Sequence, residues 1–283
     1  MSFVELEVEQ QDWAGRKRMA DVDGLSVAYV EFPGAEPALL LIHGFTDTSR
    51  SFSLLAPHLS GRRLIIPDLR GHGASQAGLR AFRPASFADD IARLIEQLRL
   101  DRPVLVGHSL GAMVAIALAA RHRELIGGLV VLAGTLKPDF APDHPLVAGV
   151  QALRDPISPA DPFYDWWHAC RTGVPQPFLA GMAKDASTMP VASWRAVLEE
   201  IRRADLTDAA RAVQARTLII AGAVDPLFGE AHQQALRRCL PGSDFIRIEG
   251  CGHNPHWEDP ALVAAAVTDK FRAGLAQQRL RGR

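Results

Sequence analysis

The chain has 283 residues, 48% hydrophobic and 22% charged, with a formal net charge of −1. That length accommodates one large α/β domain with an insertion or two modest domains, and the near-neutral balance excludes the basic footprint of a nucleic-acid binder. Three cysteines, Cys170, Cys239 and Cys251, are widely spaced and form no CxxC pair, which argues against both a disulfide framework and a zinc site.

The start, Met1-Ser2-Phe3-Val4-Glu5-Leu6-Glu7, is acidic and lacks the basic and apolar regions of a signal peptide. No apolar run approaches a membrane span, so a soluble cytoplasmic protein with no membrane partner is expected. Residues 25–32 read as an early strand closed by Pro33-Gly34. Ala38-Leu39-Leu40-Leu41-Ile42 is a continuous apolar run ending at His43-Gly44, the pattern of a strand buried on both faces. Arg63-Leu64-Ile65-Ile66-Pro67 is another, ending at Asp68. Residues 86–99 carry Phe87, Ile91, Leu94, Ile95 and Leu98 at helical spacing, which predicts an amphipathic helix. Val104-Leu105-Val106 predicts a strand, 110–121 an interior helix, and 128–133, 217–221 and 245–248 further strands. A last helix is expected from Pro260, with Asp259 as its N-cap. The basic end, 279–283, reads as a solvated tail. Strands alternating with helices imply a mainly parallel sheet covered on both faces.

The alternation breaks between about 135 and 212. This stretch holds nine prolines, from Pro138 to Pro190, and the bulky groups Phe140, Phe163, Tyr164, Trp166, Trp167, Phe178, Met182 and Trp194. Residues 193–204 form its clearest helical run. It must leave the sheet and return, and reads as a helical cap (135–212) over a core formed by 1–134 and 213–283. Some of its aromatics are expected to roof a pocket while others form the cap's own core.

The most informative segment is Gly107-His108-Ser109-Leu110-Gly111, a Gly-x-Ser-x-Gly between a strand and a helix. The turn is so tight that side chains at 107 and 111 would strike backbone, and the serine is held strained with its hydroxyl at the tip. The following helix aims free N–H groups at the same spot, which suits developing negative charge. A serine hydroxyl needs a base and a group to orient that base. His253, on the glycine-bearing loop beyond the last strand, is the expected base. Asp225, just beyond the strand at 217–221, is the expected orienting acid. His256, on the same loop, is the weaker rival. His43 and His72 are read as bracing loops, His108 as packed into the sheet, and Asp68 as a loop-fixing acceptor. The oxyanion donors are expected to be the backbone N–H groups of Leu110 and Phe45. His43, His108, Trp166, Trp167, Phe178 and Met182 are the candidate pocket residues.

These pieces resemble the α/β-hydrolase fold superfamily. The resemblance rests on His43-Gly44-Phe45, Asp68-Leu69-Arg70-Gly71-His72-Gly73-Ala74-Ser75, the Ser109 segment, Gly222-Ala223-Val224-Asp225-Pro226 and Gly252-His253, in the order Ser…Asp…His. It is similar to the serine-nucleophile, capped esterase and cofactor-free haloperoxidase-like members. The resemblance implies an eight-stranded, mostly parallel sheet with helices on both faces, a helical cap inserted after strand six, and hydrolysis through an acyl-serine. The expected activity is cleavage of a carboxylic ester or lactone of a small to medium substrate, with no metal or organic cofactor. One alternative is a C–C bond hydrolase of aromatic-degradation products, with Arg171, Arg195 or Lys184 gripping a substrate carboxylate. The other is a ligand-sensing protein on a hydrolase scaffold. Oligomeric state is left open.

Overall fold

Eight strands form one sheet in the computed structural model, which describes residues 12–171 and 173–272. The acidic start at 1–7 and the basic end at 279–283 lie outside the described residues. The strands are β1 (Arg18–Val22), β2 (Leu25–Phe32), β3 (Ala35–Ile42), β4 (Arg62–Pro67), β5 (Val104–His108), β6 (Gly128–Leu132), β7 (Thr217–Gly222) and β8 (Asp244–Ile248). Their order is β1-β2-β4-β3-β5-β6-β7-β8. β2 pairs antiparallel with both β1 and β4, and every later pairing is parallel.

Each central strand is buried on both faces because helices lie on both sides of it. Alternate residues therefore feed two different cores. Leu40, Leu105, Leu129 and Ile219 face one core, with α1 (Pro84–Gln97) and α2 (Leu110–Arg121) packed on it. Leu41, Val106, Val130 and Ile220 face the other, where Val263, Val267 and Phe271 of the last helix (Pro260–Phe271) close it. Asp259 caps that last helix by accepting from the Leu262 N–H. The strand β1 was not among the sequence expectations. Its residues are half exposed, and its only signal is the Asp23-Gly24 turn, where both residues have positive φ.

Between β6 and β7 the chain leaves the sheet and forms α3 (Pro145–Ala152), α4 (Phe163–Trp167), α5 (Gln176–Ser187), α6 (Val191–Arg203) and α7 (Thr207–Ala212). The helix α6 buries Trp194, Val197, Leu198 and Ile201 along one stripe. The insertion rests on the loop that follows β3. Arg50 pairs with Asp185 at 2.8 Å, Thr48 donates to the same carboxylate at 2.9 Å, and the Phe45 ring meets Trp167 and Trp194 edge-on. Among the described residues no helix is long and apolar enough to cross a membrane.

Candidate active site

Ser109 sits between β5 and α2 with φ +51°, a conformation that few non-glycine residues adopt. Its neighbours explain how the turn is tolerated. A Cβ at Gly111 would lie 2.0 Å from the carbonyl oxygen of Ile42, and one at Gly107 would lie 2.2 Å from that of Gly111. Only hydrogen fits at either place, so β3, β5 and α2 close on one another and drive the serine to the tip.

Three strand ends bring the chemistry together. Ser109 follows β5, Asp225 follows β7, and His253 follows β8. His253 Nε2 lies 3.0 Å from Ser109 Oγ, and His253 Nδ1 lies 2.9 Å from Asp225 Oδ2 and 3.1 Å from Oδ1. A carboxylate only accepts, so Nδ1 carries the proton and Nε2 offers its lone pair to the serine hydroxyl. Asp225 is itself fixed by the N–H groups of Leu227 (2.8 Å) and Phe228 (3.0 Å). Burial alone would raise its pKa, but the facing His253 and those two amides outweigh burial and hold the carboxyl below its ordinary value.

Leu110 is the first residue of α2, so its N–H has no acceptor within the helix. Phe45 lines the small chamber over Ser109 together with Trp167, His168 and Trp257. A larger cavity of about 320 Å³ adjoins it, lined by Trp166, Trp167, Arg171, Leu227 and His253 among others.

The remaining candidates divide. His108 is buried, yet its ring also forms part of the chamber wall, and its Nε2 donates to the backbone carbonyl of His253 at 3.0 Å. Trp166 and Trp167 line the larger cavity. Three expectations need correction. His43 is fully buried away from both spaces, because its Nδ1 donates to the Gly44 carbonyl and its Nε2 accepts from the Leu69 N–H. Phe178 and Met182 also line neither space. They pack with Val174 and with Leu54 and Trp257 from outside the insertion, so they form an apolar seam that seats the insertion on the sheet domain rather than a roof over the pocket.

His256 faces Ser51, with Nε2 3.0 Å from its hydroxyl. Asp68 is a loop anchor: its buried carboxylate takes Lys17 at 2.6 Å and the N–H groups of Ser49 and Ala74. Burial pushes the Cys251 thiol up to about 11, which disfavours the nucleophilic thiolate. Sequence reasoning missed Asp47, His168, Asn254, Pro226 and Leu227 as lining residues. Asn254 adjoins the expected base, and Pro226 and Leu227 adjoin the expected acid, so proximity along the chain was an available signal. Asp47 and His168 carried none. Among the described residues no group of three or more His, Cys, Asp or Glu side chains is placed to hold a metal ion.

The family model described as the alpha/beta hydrolase family matches residues 39–266, and the chain belongs to that family. A 2-(acetamidomethylene)succinate hydrolase of Mesorhizobium japonicum is 28% identical over 252 residues, covering 83% of this chain and 88% of that protein. A solved thermophilic esterase from Thermogutta terrifontis is 26% identical with a TM-score of 0.76, covering 91% of this chain and 98% of that one. The enol-lactonase from Burkholderia xenovorans shares the fold at a TM-score of 0.78 and 20% identity, covering 90% of this chain and all (100%) of that one.

Proposed function

We propose that this chain is a serine hydrolase that cleaves a carboxylic ester or lactone of a small to medium molecule through an acyl-enzyme on Ser109. The observation that carries the reading is the unbroken line Ser109 Oγ–His253 Nε2 (3.0 Å) and His253 Nδ1–Asp225 Oδ2 (2.9 Å) at adjacent strand ends. Ser109 Oγ attacks the carbonyl carbon while His253 Nε2 takes its proton. Asp225 holds the imidazole in the required tautomer and stabilises its cationic form. The Leu110 and Phe45 N–H groups receive the tetrahedral oxyanion, each such donor contributing about 2.7–4 kcal/mol of barrier lowering. Collapse expels the alkoxide, which takes the proton from His253. Water, deprotonated by the same imidazole, then releases the acid and restores Ser109. Residues 135–212 act as a cap over a core of 1–134 and 213–283. The similarity to the Thermogutta esterase supports the bond class. The test is hydrolysis of p-nitrophenyl acetate and butyrate by wild type and Ser109→Ala; turnover unchanged by the substitution defeats the proposal.

A second reading, C–C bond hydrolysis of a carboxylate-bearing substrate, is favoured by one observation. Arg171 lines the larger cavity beside His253. Arg195 does not serve, since its guanidinium donates to the Gln151 and Leu153 carbonyls, and Lys184 is solvent-exposed. The Mesorhizobium relative is named for 2-(acetamidomethylene)succinate, which also bears carboxylates. A spectrophotometric panel of ring-fission diketones with wild type and Arg171→Ala discriminates the two.

A further inference from the structure

We infer that Trp167 is the wall dividing the acyl side from the leaving-group side of the site, and that it restricts the enzyme to short acyl groups carried on bulky, apolar or aromatic alcohols. The inference rests on the ester-hydrolase proposal and adds its substrate class.

Two spaces meet at the base. The chamber over Ser109 has a volume of about 10 Å³, walled by Phe45, Trp167, His168 and Trp257. That is room for about one water molecule, or a group of methyl size. The neighbouring cavity is about 320 Å³ and is lined by Trp166, Trp167, Pro226, Leu227 and Arg171. Ser109 lines the first space and not the second, whereas His253 and Trp167 line both. The direction of the reaction follows from this asymmetry. The leaving alcohol must lie beside His253 to collect its proton, and of the two spaces that His253 borders only the larger has room for a bulky alcohol. The acyl tail then points the other way, into the chamber.

Trp167 is held in place from three sides. Its indole N–H donates to Thr46 Oγ1 at 2.9 Å, its ring stacks on Phe163, and it meets Phe45 edge-on. Thr46 is fixed in turn, at φ +67° in a region unfavourable for a β-branched residue, on the same loop that supplies the Phe45 N–H. The partition is therefore anchored to the oxyanion loop itself, not merely laid over the site.

The test is kcat/KM for p-nitrophenyl acetate, butyrate and octanoate with wild type, Trp167→Ala and Trp167→Phe. Wild type is expected to lose at least about tenfold from acetate to butyrate and more to octanoate, since one methylene against a wall is worth ~10–200-fold. Trp167→Ala joins the two spaces and is expected to shift the octanoate-to-acetate ratio upward by about tenfold or more. Trp167→Phe keeps a ring without the Thr46 hydrogen bond and is expected to retain the acetate preference. Wild type that cleaves octanoate as well as acetate overturns the inference, as does an unchanged ratio in Trp167→Ala. Should Trp167→Ala fail to fold, the wild-type series decides. No cleavage of any ester defeats the ester proposal instead, so the two failures are distinguishable.

Discussion

His108, the residue before the proposed nucleophile, donates from Nε2 to the backbone carbonyl of His253, the residue of the proposed base, at 3.0 Å. One side chain thus ties the β5 turn to the loop beyond β8, which 145 positions of sequence separate. Because the carbonyl can only accept, the proton of His108 is on Nε2, and its Nδ1 faces the buried Asp47 carboxyl at 3.8 Å without a hydrogen bond.

Replacing His108 by Phe keeps a ring of similar shape and removes the donor. The His253 carbonyl then loses its partner in a part-buried setting, at a cost of about 1 kcal/mol. Both a lower melting temperature and a lower kcat are expected, with KM little changed, because the loop that aims the imidazole is loosened. Calorimetry and steady-state kinetics on the purified variant check this. Wild-type values for both quantities contradict it.

Stability should fall on acidification. Burial lowers the pKa of His43 and His108 to about 3, of His72 and His168 to about 4, and of His256 well below 6.5. In the unfolded chain these imidazoles take protons as pH drops through about 6.5, while the folded chain refuses them until about 3–4 at His43, His72, His108 and His168 and until well below 6.5 at His256. Between those limits the unfolded state binds more protons, so stability is lost as pH falls. Asp47 opposes this trend. Burial raises its pKa from 3.8 to about 7, so between those values it is protonated only when folded, which favours the fold as pH drops. Five imidazoles outweigh one carboxyl, and the melting temperature is expected to decline steadily from pH 7 to pH 4.5. A flat or rising profile contradicts the burial of these rings.

Gly111→Ala tests the turn that lifts Ser109. The added methyl would lie 2.0 Å from the Ile42 carbonyl oxygen, so β3 or α2 must shift. Overpacking of this kind costs about 1–3 kcal/mol, and the shift also displaces Ser109 from His253. Loss of activity out of proportion to the loss of melting temperature is the expected outcome. Full activity in the variant contradicts the tight turn.

The sequence made some of this legible and concealed the rest. Continuous apolar runs at β3, β5, β6 and β7 marked strands covered on both faces, because that burial needs no polar alternation. The glycines around Ser109 encoded a backbone contact, and the positions of Asp225 and His253 just past strand ends placed both at one edge. Packing partners were not legible. Phe178 and Trp167 are both aromatics of the insertion, yet one is fully buried among Leu54, Met182 and Trp257 while the other faces the cavity. Only the fold decides which side of a helix meets the void. His43 reads in the sequence both as a loop brace and as a pocket candidate; its glycine-flanked loop points to the brace, which its bonds to the Gly44 carbonyl and the Leu69 N–H form, and away from the pocket wall.

The most direct measurement is labelling of the purified protein with a fluorophosphonate, read by intact mass and peptide mapping. Such a probe phosphonylates only a serine whose hydroxyl is deprotonated by a neighbouring base beside an oxyanion site. One adduct per chain on the peptide containing Ser109 is expected, absent in Ser109→Ala and strongly slowed in His253→Ala. No adduct on the wild-type protein, or labelling that persists in Ser109→Ala, contradicts the assignment of Ser109 as the nucleophile.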